Sequence, residues 1–188
     1  MKKLKNRAGF TLIEMMCTLL ILVILTMAIG VGMDTGSQLY RDATFESDSA
    51  TLAGILNTSI GDILRFSTVV RSDKVRNPPE GFDIEAVEYV FTSHDYGIRY
   101  AYFHTPLAAD GTETGVLQLK NMSDDKVVEL VNTGAYPDLA IQGFECEYTE
   151  RVAPGIEGGY FTVTYKIVSE TIPDKTRNVE MIVRVMND

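Results

Sequence analysis

Ser93-His94-Asp95 carries the residue types of a nucleophile, a base and an orienting carboxylate. Three neighbours along a chain do not form a triad without convergence in space, so the run reads as a turn. Asp110-Gly111-Thr112-Glu113 and Asp124-Asp125 offer oxygens of the kind calcium takes. Neither has the ordered ligand spacing of a compact calcium loop, and both read as solvated turns. His94 and His104 are too few for a histidine-rich metal centre. Gly155-Ile156-Glu157-Gly158-Gly159 lacks the Lys-Ser/Thr ending of a phosphate loop and reads as a flexible hairpin. No enzymatic motif and no cofactor site is expected. The residue type that stands out is Glu14, a carboxylate inside the start of an apolar run.

A charge near the membrane end of an apolar helix is expensive and usually has a task. Lys2, Lys3, Lys5 and Arg7 precede the run, and no charged residue follows Glu14 until Asp34. Met15 to Gly32, extended by Phe10 to Ile13, is long enough to cross a membrane if Glu14 is tolerated. The segment fits a stop-transfer anchor. It also fits a signal peptide cut near Ala28-Ile29-Gly30, whose small residues suit such a site. A third possibility is a cut between Gly9 and Phe10. Phe10 would then carry a free α-amine, and a carboxylate four residues along a helix would neutralise the amine of a neighbouring subunit in low dielectric. Such pairs are better evidence for register than for net stability. Neither an anchor nor a signal peptide asks for a carboxylate at this position.

Gly9-Phe10-Thr11-Leu12-Ile13-Glu14, behind a short basic leader and ahead of a long apolar helix, resembles the type IV pilin and pseudopilin family. In that family a prepilin peptidase cleaves after the glycine and methylates the new N-terminal residue. The resemblance implies that Gly9 is the last leader residue, Phe10 the methylated N-terminus and Glu14 the carboxylate that guides assembly. It implies as partners the membrane, other pilin or pseudopilin subunits, the peptidase, an assembly platform and its ATPase. The C-terminal disulfide of many pilins is missing here. Cys17 lies in the apolar run and Cys146 in the exported part, so they cannot pair within one molecule. Cys146, between Phe144 and Tyr148 in an alternating run, reads as a buried core thiol.

The 188 residues suffice for one modest domain, and 45% of them are hydrophobic, which argues against disorder. Mean hydropathy is close to zero, so the chain is not a polytopic membrane protein. Beyond the first nine residues, 13 of the 17 basic side chains face all 26 acidic ones. That asymmetry favours a cytoplasmic N-terminus and an extracytoplasmic head, and disfavours direct nucleic-acid binding.

The elements that must carry the N-terminal segment follow from periodicity. Asp34-Thr35-Gly36-Ser37 is expected to be a loop or a local unwinding. Leu52, Ile55, Leu56, Ser59, Ile60, Ile63 and Leu64 recur at helical spacing, with a helix start near Ser47-Asp48 or as early as Gln38. Their stripe is expected to pack under a sheet of the same domain. Asn77-Pro78-Pro79-Glu80-Gly81 breaks the helix. Strands are expected at 86–92, 97–104, 115–120, 126–131, 141–149, 160–169 and 177–186. Ser93 to Gly97 and Asn121 to Asp125 are hairpin candidates.

The expected fold class is α+β: a long N-terminal membrane-spanning helix continuing into a pilin-like globular head with an antiparallel sheet. The expected division is a basic leader (1–9), an assembly helix (10–33), an amphipathic helical region (34–76) and the β head (77–188). The sheet's length and Gly-rich hairpins look more like a minor pilin or minor pseudopilin. The expected function is a structural subunit of a type IV pilus or a type II secretion-like pseudopilus, processed after Gly9. The alternative is a monomeric membrane-anchored binding module.

Overall fold

The computed structural model describes residues 11–72, 89–93, 98–121, 126–131, 133–150, 159–172 and 174–186. The fold is α+β. One long helix, α1 (Leu12–Arg65), precedes β1 (Thr68–Arg71), β2 (Tyr89–Ser93), β3 (Ile98–His104), β4 (Gln118–Asn121), β5 (Lys126–Glu129), β6 (Leu139–Thr149), β7 (Tyr160–Ser169) and β8 (Thr176–Arg184). The chain divides into two units, Met1–Thr44 and Phe45–Asp188, with the division falling inside α1.

The helix neither unwinds at Asp34–Ser37 nor starts near Ser47. Nothing in Asp34-Thr35-Gly36-Ser37 removes a backbone donor, as proline would. A single glycine costs a helix only about 1 kcal/mol. The Thr35 hydroxyl is absorbed locally by donating to the Val31 carbonyl at 2.9 Å. Polar residues here mark the end of the apolar run without ending the helix.

In the second unit α1 buries one stripe: Phe45, Ser49, Leu52, Ala53, Leu56, Ile60, Gly61, Ile63 and Leu64. The expected stripe is recovered in Leu52, Leu56, Ile60, Ile63 and Leu64, but Ile55 stays 41% exposed. The buried line runs through Ala53 and Gly61 instead, where small residues permit close approach. A Cβ on Gly61 would sit 3.6 Å from the Met181 methyl.

Two antiparallel sheets share this core. The first is a meander, β1-β2-β3-β4-β5, and the second is β6-β7-β8. Both inner faces follow strand alternation: Phe91, Ala101, Phe103 and Leu119 in one, Phe161, Val163, Tyr165, Ile167 and Val183 in the other. The sheets meet where Ile141 N–H donates to the Gly115 carbonyl at 2.9 Å. Gly115 holds φ +76°, and a Cβ there would lie 2.6 Å from that of Ala140. Only glycine meets both demands. Ring contacts run across the core from Phe91 to Phe103, Phe144 and Tyr165.

β7 spans the expected residues. β6 begins earlier, at Leu139, and β4 later, at Gln118. β5 stops at Glu129 rather than at 131. β8 ends at Arg184 because Met186 N–H turns to the Arg65 carbonyl at 2.8 Å. β1 was not expected; four residues directly behind a helix give too short a pattern to read. Residues 86–88, 94–97, 122–125 and 151–158, which hold the expected start of β2 and three expected turns, lie outside the described residues.

Polar bonds fasten α1 to the second sheet. The Tyr165 hydroxyl, in a side chain 2% exposed, donates to Asn57 Oδ1 at 2.9 Å. Burial raises its pKa above the ordinary phenol value. Arg177 Nε donates to the fully buried Ser49 Oγ at 3.0 Å, and Arg177 Nη2 pairs with Glu46. Tyr165→Phe is expected to cost about 1–2 kcal/mol, because the buried hydroxyl and its bond to the partly buried Asn57 are lost. A double-mutant cycle with Asn57→Ala in urea unfolding should show coupling; strict additivity would remove this bond from the account.

Candidate assembly site at the helix N-terminus

Gly9 and Phe10 lie outside the described residues, and the description of the site begins at Thr11. Thr11 Oγ1 accepts from Glu14 N–H, and Thr11 N–H donates to Glu14 Oε2, each at 3.4 Å. This reciprocal pair is a capping box, Thr-x-x-Glu, at the start of α1. Glu14 also places its negative charge in the first helical turn, where the macrodipole favours it. The carboxylate thus has a local structural task as part of the helix cap. Its signature was present as Thr11-Leu12-Ile13-Glu14.

Every residue from Thr11 to Thr44 is exposed. Leu12, Ile13, Met16, Leu19, Ile21 and Met27 are each more than 60% exposed. The helix is long and apolar enough to cross a membrane. At roughly 25 cal/mol per Å² of apolar surface, such a stretch is not stable in water and must be covered by lipid or by other chains. The hydroxyls of Thr18 and Thr26 are no obstacle. They donate to the carbonyls of Met15 and Val23, each at 2.9 Å.

The other sequence candidates disperse. Asp110 Oδ1 accepts from the Thr112 hydroxyl at 2.6 Å and from its N–H at 3.0 Å. Those bonds hold the Asp110 carboxyl below its usual pKa. Glu113 turns away to accept from Gly143 N–H at 2.8 Å, which ties its loop to the bulge in β6. Asp110 is thus engaged within its own turn and Glu113 with β6. Among the described residues no three His, Cys, Asp or Glu side chains gather as a metal site. Asp124, Asp125, His94 and Asp95 lie outside those residues. His104 is half-buried in β3, and burial together with the nearby Lys120 charge lowers its pKa. Cys146 is partly buried against the core, and desolvation pushes its thiol up to about 12. Such a thiol is unreactive near neutral pH. Cys17 is exposed on α1.

Residues 4–30 match the family model of the prokaryotic N-terminal methylation motif. No curated protein and no solved structure matches the chain. The family match covers the basic segment, the capping box and most of the apolar run. It supports a prepilin-type substrate of the type IV pilin-like class, a structural rather than enzymatic class, with membrane anchoring and association with like subunits. The β sheets lie beyond the matched residues.

Proposed function

We propose that this chain is a structural subunit, of the minor kind, of a type IV pilus or a type II secretion-like pseudopilus, and not an enzyme. The carrying observation is the methylation motif over residues 4–30 at the head of a helix whose apolar side chains are uncovered. In this reading a prepilin peptidase cuts after Gly9 and methylates Phe10. The helix first holds the subunit in the bilayer, with the N-terminus cytoplasmic and the head outside. An assembly platform and its ATPase then draw the helix into a bundle with neighbouring helices. There Glu14 meets the Phe10 amine of another subunit and sets the register. The functional parts are residues 1–9 as leader and 10–33 as assembly helix, with a head that takes in the buried half of α1 from Phe45 and β1 (Thr68–Arg71) as well as the expected 77–188.

Intact-mass analysis of the N-terminus of protein purified from its membrane tests the reading. The expected species begins at methylated Phe10. A species beginning near Gly30 would reject it. Recovery in sheared filaments separates a filament subunit from the alternative, a monomeric membrane-anchored binding module.

A further inference from the structure

β8 is the outer strand of the sheet β6-β7-β8 among the described residues. Its backbone direction is fixed by two bonds: Ser169 N–H donates to the Lys175 carbonyl, and Val185 N–H to the Gly159 carbonyl. Odd-numbered positions on this line therefore point toward β7. The even-numbered ones, Thr176, Asn178, Glu180, Ile182 and Arg184, direct their N–H and C=O groups to the open edge. Met186 continues that alternation, and its N–H is taken by Arg65. The same even-numbered side chains are exposed, and Ile182 is 68% exposed. An open strand with an exposed large apolar residue invites another strand.

The charge pattern identifies the occupant. Two copies related by a two-fold axis pair antiparallel only in registers where residues with the same backbone direction face each other. Centred on Ile182, that rule puts Ile182 opposite Ile182 of the second copy, and Glu180 opposite Arg184 on both sides. Met181 and Val183 then face each other on the inner surface. Centring on Glu180 would instead oppose two carboxylates, which is destabilising. Directly opposite them on β7 stand uncharged residues: Glu180 faces Thr164, Ile182 faces Thr162 and Arg184 faces Tyr160.

We propose that β8 is a self-association edge, pairing antiparallel about Ile182 with β8 of a second copy of this chain to give a continuous six-stranded sheet. The Arg65 carbonyl closes the edge at Met186 and confines the pairing to Glu180–Arg184. The contact is isologous and joins copies in pairs. Filament growth needs a heterologous contact, so this edge does not build the filament, and the proposal does not depend on the assembly reading above.

The test uses the full-length chain in detergent micelles with Cys17→Ser. Opposed residues in such a pair have Cα atoms about 5.5 Å apart, within disulfide range. Under mild oxidation Ile182→Cys is expected to give a covalent dimer, while Thr176→Cys, on the same edge but outside the register, is expected to stay monomeric. Adding Glu180→Arg, or Arg184→Glu, to the Ile182→Cys chain makes both flanking pairs repulsive and should cut dimer yield by about tenfold. The double exchange Glu180→Arg with Arg184→Glu should restore it. Equal cross-linking at positions 176 and 182, indifference to the single reversals, or failure of the double exchange would each overturn the proposal. These side chains are exposed, and circular dichroism of each variant checks that the head remains folded.

Discussion

Glu14→Val is expected to insert into the membrane as the parent does and to be absent from sheared filaments, as read by immunoblot of sheared and cell fractions. Two effects of Glu14 need separating. The capping box with Thr11 is worth about 1 kcal/mol, and its loss frays one helix end. An unpaired Phe10 amine inside a helix bundle costs several kcal/mol, enough to exclude a subunit. Glu14→Gln divides them, since the amide oxygen can still accept from Thr11 N–H but carries no charge. If pairing with the amine governs assembly, Glu14→Gln is lost from filaments as fully as Glu14→Val, while Thr11→Ala still enters them. If the cap governs, Glu14→Gln assembles and Thr11→Ala does not. Normal incorporation of Glu14→Val removes the assembly role altogether.

Leu56→Ala is expected to lower the stability of the head by about 2–5 kcal/mol. Leu56 is fully buried, mid-stripe, in the core to which both sheets contribute, so the vacated volume is enclosed. Ile55→Ala, one residue away and 41% exposed, should stay within about 1 kcal/mol. Urea unfolding followed through the tyrosines measures both, since the chain has no tryptophan. Similar losses at the two positions would contradict the observed orientation of α1.

The difference between those neighbours also shows what the sequence could convey. Helical spacing located Leu52, Leu56, Ile60 and Leu64 correctly, because large apolar residues at three- and four-residue intervals need a partner surface. It assigned Ile55 inward because periodicity weighs side-chain size alone. Ala53 and Gly61 are buried for their smallness, which a hydrophobic pattern does not register. β7 was legible end to end because strict alternation runs its full length. β4 and β5 were not, because strands of four residues give too short an alternation to fix their ends. The helix ran through Asp34–Ser37 because polarity marks where an apolar surface stops, whereas helices stop where hydrogen bonding fails. At the candidate site, the family match over residues 4–30 includes the stretch from Gly9 to Glu14. The bonding of Glu14 to Thr11 was also legible, as Thr-x-x-Glu.

The bonds that fasten α1 to the second sheet join residues far apart in the chain. Tyr165 reaches Asn57 across 108 positions, and Arg177 reaches Ser49 across 128. Contacts of such separation are slow to form, since a large loop must close before they give any return. Synthesis proceeds from the N-terminus, so the Phe45–Arg65 stripe is made first while its cover in β7 and β8 comes last. Until β7 and β8 emerge, that stripe remains open to water and to other chains. A nascent chain of this kind depends on rapid completion, or on a holding factor, to keep its first helix from aggregating. Truncations that remove β8 should therefore act early, during biogenesis, rather than as mild defects of a finished head.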